Sequence, residues 1–163
     1  MNTHYRAVVS APPDRGSGMS AFAIGVCCND DEITELVYLD PRPEMKPTSL
    51  LAEETVRQLR AYLADAHYEF GLPLAPAGTA FQRKVWAQIA AIPCGATRSY
   101  GEVAETIHSG PRAVGNACGA NPYPLVIPCH RVLAANQGLG GFARHRGGFL
   151  LDVKRWLLQH EGR

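Results

Sequence analysis

A proline-punctuated stretch, Gly71-Leu72-Pro73-Leu74-Ala75-Pro76-Ala77, limits the possible folds more than any other feature of the chain. Two prolines with two residues between them remove backbone donors and fix φ, and no helical period runs through them, so neither a helix nor a central strand is expected to cross this point. A core must therefore be built on each side of it, which places a domain boundary here and predicts domains at 1–77 and 78–163. Charge changes sign at the same place: residues 1–77 carry 6 Lys and Arg against 11 Asp and Glu, whereas residues 78–163 carry 10 against 4. The formal net charge of +1 conceals a basic half that a polyanion would feel, because attraction to phosphate follows the local field.

Composition excludes whole classes. With 46% hydrophobic and 19% charged residues, the 163-residue chain can bury real cores and is not mainly disordered. No run reaches the roughly 18 apolar residues of a membrane span, and the opening Met1-Asn2-Thr3-His4-Tyr5-Arg6 lacks the apolar stretch of a signal peptide, so a soluble cytoplasmic protein is expected, with no membrane partner. Cys27, Cys28, Cys94, Cys118 and Cys129 are odd in number and contain no Cys-x-x-Cys spacing, which argues against a disulfide framework or a zinc ribbon. His4, Cys27, Cys28 and His67 also lack a diagnostic metal-ligand spacing, and no metal is expected.

Residues 1–77 read as mixed α/β. The apolar stretches 21–28 and 33–39 flank the polar cluster Asn29-Asp30-Asp31-Glu32, the pattern of an antiparallel hairpin. Beyond the proline-broken Asp40-Pro41-Arg42-Pro43, Thr48 or Ser49 can cap a helix carrying Ala52, Val56, Leu59 and Leu63 at helical spacing.

Residues 78–163 read as mainly helical. Thr79 with Gln82 forms a capping box ahead of Phe81, Val85 and Ile89, and Pro93 with Gly95 stops that helix. Ser99 with Glu102 forms a second box ahead of Val103, Ala104 and Ile107. After His108-Ser109-Gly110, Pro111 suits the first position of a third helix over 112–120, so two short helices meet at a glycine-containing turn, the signature of a helix-turn-helix. The third helix is slim: Ala113, Gly115, Ala117, Gly119 and Ala120 give up stability, about 1 kcal/mol for each interior glycine, either to pack tightly on the core or to let something large approach. A last helix over 149–160 is predicted to bury Phe149, Val153, Trp156 and Leu157 and to end at Gly162.

Leu125-Val126-Ile127 ends abruptly at Pro128-Cys129-His130-Arg131, and a buried strand meeting a turn there would hold a thiol rigidly. A thiol attacks only as thiolate, and a pKa near ~8.5 leaves only a few per cent ionised at neutral pH, so a base is needed; His130 is the candidate, reached through a tight turn or a bridging water. The other four cysteines fit small buried hydrophobes.

These residues, with Asn121-Pro122 five residues ahead of Pro128-Cys129-His130-Arg131-Val132 and with Arg112-Ala113-Val114-Gly115 before them, resemble the O6-alkylguanine-DNA alkyltransferases, or methylated-DNA–protein-cysteine methyltransferases. The resemblance begins at Gly78-Thr79 with Phe81-Gln82 and Val85-Trp86, runs through Ile92-Pro93, Gly95, Thr97 and Ser99-Tyr100-Gly101-Glu102, and ends at Trp156-Leu157-Leu158 and His160-Glu161-Gly162. It implies a ribonuclease H-like α/β first domain, an antiparallel sheet with a helix, followed by a mainly α second domain with a winged-helix-like helix-turn-helix. It implies a monomer without cofactors, whose partner is double-stranded DNA containing O6-alkylguanine or O4-alkylthymine. The alkyl group passes once, irreversibly, to the protein.

By the same resemblance Cys129 is the acceptor, His130 takes its proton through a water, Glu161 fixes the imidazole tautomer, Asn121 braces the turn, and Tyr100 turns the target phosphate and assists the leaving guanine. Arg112 would fill the stack vacated by a flipped nucleotide, with Ala113, Gly115, Ala117 and Gly119 entering the minor groove. Pro128, Gly141 and Phe142 would wall the alkyl pocket. The turn 108–110 is shorter than the family pattern and the loop 138–148 longer, with Phe142 where tyrosine is frequent. A non-catalytic DNA-binding module would lack the acceptor cysteine, and a cysteine hydrolase would give no reason for Arg112, the slim helix or the basic half.

Overall fold

The computed structural model describes residues 4–12, 22–134 and 148–162. The chain divides into two compact units, Met1–Pro76 and Ala77–Arg163.

The first unit is a three-stranded antiparallel sheet in the order β1-β2-β3, formed by Ala7–Ser10, Ala23–Cys28 and Ile33–Leu39, with one long helix, α1, over Leu50–Ala64. The hairpin between β2 and β3 is closed by Asn29, whose Oδ1 accepts from the backbone N–H of Asp31 at 2.9 Å and of Glu32 at 2.8 Å, the Asx-type turn for which this residue is suited. Its register sets Ala23 opposite Leu39 and Gly25 opposite Val37, with an irregularity between Cys27 and Cys28. β2 is buried along its whole length, as a central strand covered on both faces must be. Glycine is required at position 25: a Cβ there would lie 2.6 Å from the Tyr5 ring, which packs against the sheet over this residue. Ser49 caps α1, and Ala52, Val56, Leu59 and Leu63 form its buried stripe. The strand β1 is absent from the sequence expectations, because its four residues are too short a run to show a period.

The second unit contains α2 (Ala80–Ala90), α3 (Tyr100–Thr106), α4 (Pro111–Gly119) and α5 (Phe149–His160). A short parallel pair joins β4, Arg98–Ser99, to β5, Val132–Leu133. Both capping boxes form, Thr79 with Gln82 and Ser99 with Glu102. Pro111 opens α4 at its first turn, and residues 107–110 link it to α3. Gly78 has φ +83°, and a Cβ there would come within 2.5 Å of the Trp86 ring, so this backbone conformation and this packing both demand glycine. The buried Trp86 indole in turn donates to the Ala117 carbonyl at 2.8 Å and ties α2 to α4.

Three expectations need correction. Leu125–Ile127 is a turn rather than a strand: three prolines, at 122, 124 and 128, prevent a ladder, and Leu125 takes a left-handed φ of +75°. Along α5 the buried residues are Leu151, Val153, Lys154, Leu157 and Leu158, while Phe149 and Trp156 are only half-buried, because the inward face is turned toward the 3₁₀ turn that follows the prolines. Phe81 is 37% exposed, since the first turn of α2 stands outside the core and Trp86 supplies the bulk instead.

Candidate active site

The prolines that forbid a strand at 125–127 leave a compact loop whose conformation is fixed by one side chain. Asn121 Nδ2 donates to the Ile127 carbonyl at 2.9 Å, and its Oδ1 accepts from the Tyr123 N–H at 2.9 Å, so this amide bridges the loop from inside. The chain emerges at Pro128 into a single 3₁₀ turn, Cys129–Arg131, before β5. The same Asn121 Nδ2 lies 3.3 Å from Cys129 Sγ, so the residue that shapes the loop also touches the sulfur.

Cys129 is only 5% exposed. The adjoining Cys118 sulfur, and then burial, push its thiol well above the ordinary range, while Asn121 and the Lys154 cation pull in the opposite direction without reversing the shift. At rest this cysteine is therefore a thiol, and ionisation requires a proton acceptor.

The candidate acceptor is the next residue in the chain. The 3₁₀ turn buries His130, whose Nε2 is 2.8 Å from Glu161 Oε2. Since the carboxylate can only accept, the proton belongs on Nε2, and Nδ1 carries the lone pair. Among the described residues Nδ1 has no hydrogen-bond partner although it is buried. Burial, above all, lowers the His130 pKa, helped by the cations Arg131 and Lys154 and opposed by Glu161, so the ring is neutral and able to take a proton.

Glu161 is the C-cap of α5, and the helix ends there ahead of Gly162 with φ +95°. Arg131 forks onto it, with Nε 2.8 Å from Oε1 and Nη2 3.0 Å from Oε2. Lys154 is fully buried, donates to the Val132 carbonyl at 2.8 Å and stands 5.7 Å from the centre of the Tyr100 ring. Burial brings its pKa down to about 8 against the pull of the two neighbouring cysteines. Tyr100 opens α3 and is raised above the phenol range, by burial first and then by Cys118 and Cys129, so it remains an O–H donor.

The structure thus sets Asn121 on the Cys129 sulfur, pairs His130 of the same turn with Glu161, and keeps Tyr100 near enough to Cys129 for the two to interact electrostatically. Arg112 is exposed at the first turn of α4, a cation set against the helix dipole where it weakens the helix by about 0.3–1 kcal/mol. Gly115 borders open space, and Ala113 and Gly119 are half-buried. Ala117 departs from the expected groove-facing set: it is 2% exposed and faces inward with Val114, where α4 packs on α2. Pro128 is buried directly before the cysteine, and Gly141 and Phe142 lie outside the described residues.

Residues 80–163 match the family described as 6-O-methylguanine DNA methyltransferase, DNA binding domain. The methylated-DNA–protein-cysteine methyltransferase of Methanosarcina acetivorans is 46% identical over 111 residues, covering 67% of this chain and 68% of that protein. The constitutive methylated-DNA–protein-cysteine methyltransferase of Bacillus subtilis is 42% identical over 117 residues, covering 69% of this chain and 70% of that protein. This chain belongs to the methylated-DNA–protein-cysteine methyltransferase family. Its likeness extends to solved structures: Mycobacterium tuberculosis O6-methylguanine methyltransferase has 34% identity, a TM-score of 0.76 and coverage of 97% of this chain and 92% of that one. Mycobacterium tuberculosis OGT in complex with DNA has 34% identity and a TM-score of 0.74, covering 98% and 92%.

Within this methyltransferase scaffold, sequence reasoning passed over Lys154, Cys118 and the role of Arg131. A lysine at a buried position of an amphipathic helix was the available signal, since α5 has Val153 and Leu157 on the same side. Cys118 and Arg131 gave no comparable signal, because their importance lies in which atoms they meet across the fold.

Proposed function

We propose that this chain repairs alkylated DNA by direct reversal, moving the alkyl group of O6-alkylguanine, or of O4-alkylthymine, to Cys129 Sγ in a single turnover. The observation that carries this reading is a buried thiol beside an imidazole whose Nε2 is committed to Glu161 and whose Nδ1 is uncommitted. His130 Nδ1 takes the thiol proton through a bridging water, and the thiolate gains support from the Lys154 cation and the Asn121 amide. Sγ then forms a bond to the alkyl carbon as the bond from that carbon to O6 breaks, with its electron pair passing to the guanine ring. The Tyr100 O–H donates to the departing base, and the proton first held by His130 finally restores neutral guanine. The product is a thioether, which water does not cleave, and the protein is spent.

The O6 atom lies within the stacked duplex, so the nucleotide must be extruded at a cost of a few kcal/mol. We read α3 and α4 as a helix-turn-helix of winged-helix type that enters the minor groove through Ala113, Gly115 and Gly119, with Arg112 filling the vacated stack. Binding then rests on phosphate contacts of the basic half and weakens as salt rises. We read residues 1–77 as a ribonuclease H-like supporting domain and 78–163 as the DNA-binding and alkyl-acceptor domain of a monomer that needs no cofactor.

Intact-mass measurement after incubation with duplex DNA containing O6-methylguanine tests the reading. One methyl group, retained on a peptide containing Cys129, is expected. An unmodified protein, or a label on another residue, overturns it.

A further inference from the structure

The cluster contains one cation that the transfer step above does not use. Arg131 follows the base directly in sequence, and its guanidinium spends three of its nitrogens on fixed partners: Nε and Nη2 on the two oxygens of Glu161, and Nη1 on the Ile92 carbonyl at 2.7 Å. The last of these anchors the group to the backbone just beyond the end of α2. A fork held at three points fixes the plane of the carboxylate that it grips, which a lysine, with one mobile ammonium, cannot do.

We propose that Arg131 is a positioning residue for alkyl transfer: its fork holds the Glu161 carboxylate so that Oε2 meets His130 Nε2, leaving Nδ1 as the free face of the ring. The inference rests on the reading of His130 as base. It assigns Arg131 two separable effects. The geometric one is the aim of Oε2, which receives both the imidazole and Nη2. The electrostatic one is neutralisation: a bare carboxylate 2.8 Å from the ring would favour imidazolium, whereas the paired one supports the neutral tautomer.

The charged groups acting on the ring are Glu161 and Lys154 from α5 and its cap, and Arg131 from the 3₁₀ turn. α2 adds none, because Arg83 and Lys84 are exposed. Removing the guanidinium charge therefore raises the pKa of His130, and a base that must be neutral loses activity at a higher pH than before.

Single-turnover methyl transfer from O6-methylguanine duplex, followed from pH 5 to 9, would be measured for the parent protein, Arg131→Gln and Arg131→Lys, with the His130 ring nitrogens followed by NMR. Arg131→Gln is expected to slow transfer by roughly tenfold to a hundredfold, the usual effect of removing a group that orients another, and to move the acid limb up by about one pH unit. Arg131→Lys keeps the charge and loses the fork, so its acid limb stays in place while its rate falls and the Nε2–H tautomer is less populated. If Arg131→Gln does not fold, Arg131→Lys alone decides: a rate and tautomer equal to the parent overturn the proposal. An unmoved acid limb in folded Arg131→Gln overturns it as well, since a purely structural tie would change stability only. If the parent protein transfers no methyl group to Cys129, the underlying functional reading fails instead.

Discussion

Gln58 in the first unit and His130 in the second are both polar, both buried and both bonded to a glutamate, yet they are completed differently. Gln58 spends its amide fully: Nε2 donates to Glu54 Oε1 at 2.9 Å and to the Gly71 carbonyl at 3.0 Å, while Oε1 accepts from the Gly71 N–H at 2.8 Å. It joins α1 to the segment that leads out of the unit, with both ends of the amide bonded within the fold. His130 satisfies one nitrogen, and among the described residues its other nitrogen has no hydrogen-bond partner. Burying an unpaired polar atom costs about 1–3 kcal/mol, so a fold tolerates it where the atom has other use. A bonded buried amide serves the architecture, and a half-satisfied buried imidazole is what the proposed transfer step uses.

The strongest way to break that contrast is Cys129→Ala, which should abolish methyl transfer in the mass assay while leaving binding to methylated duplex intact; any residual transfer to the protein would separate the chemistry from this sulfur. Glu161→Gln comes next. It should slow single-turnover transfer by roughly a hundredfold, because the tautomer is no longer enforced. It should also destabilise the fold by about 3–5 kcal/mol, because Arg131 loses its anion in a largely buried setting.

Gln58→Ala sharpens the other side of the contrast. Denaturant unfolding should report a loss of about 1–3 kcal/mol, with the transfer rate of folded protein unchanged. A fall in that rate would mean that the first unit contributes to the chemistry.

The pH dependence follows from the two buried bases. His130 has a lowered pKa, so between that value and the ordinary 6.5 the unfolded chain binds the extra proton and stability should fall as pH drops through this window, whereas the transfer rate of folded protein should fall only as pH drops through the lowered pKa itself. Lys154, lowered from 10.5 to about 8, acts in the alkaline range, where stability should rise with pH between those values. A transfer rate that stays flat down to the lowest pH at which the protein remains folded would exclude neutral His130 as the base. The smallest effect belongs to Gly115→Ala. The added methyl meets open space, so the helix should gain about 1 kcal/mol, yet affinity for duplex DNA should fall if this face enters a groove.

Local chemistry made much of this legible without coordinates. The two capping boxes, the Ser49 cap, the Asn29 turn and the stripe on α1 are set by neighbours within a few residues, and each stands in the fold as a short-range pattern can specify it. The motif around Cys129 likewise pointed to a candidate thiol and imidazole, which lie on one short turn. Where the reading failed, the deciding contact was distant in sequence. The apolar run 125–127 looked like a strand, but a strand needs a partner with a free ladder, and the prolines with the Asn121 bridge offered a loop instead. Ala117 looked like part of an outward slim face until Trp86 came to lie against its carbonyl.

The sequence by itself determined the helix caps and the helix-stopping turns, since proline, glycine and capping side chains act on their own backbone. Tertiary structure alone decided the tautomer of His130, the burial of Lys154 and the three-point grip of Arg131, because each depends on atoms about 20 to 40 residues apart meeting within hydrogen-bond distance. Orientation of a proton is a property of that meeting, and no local pattern encodes it.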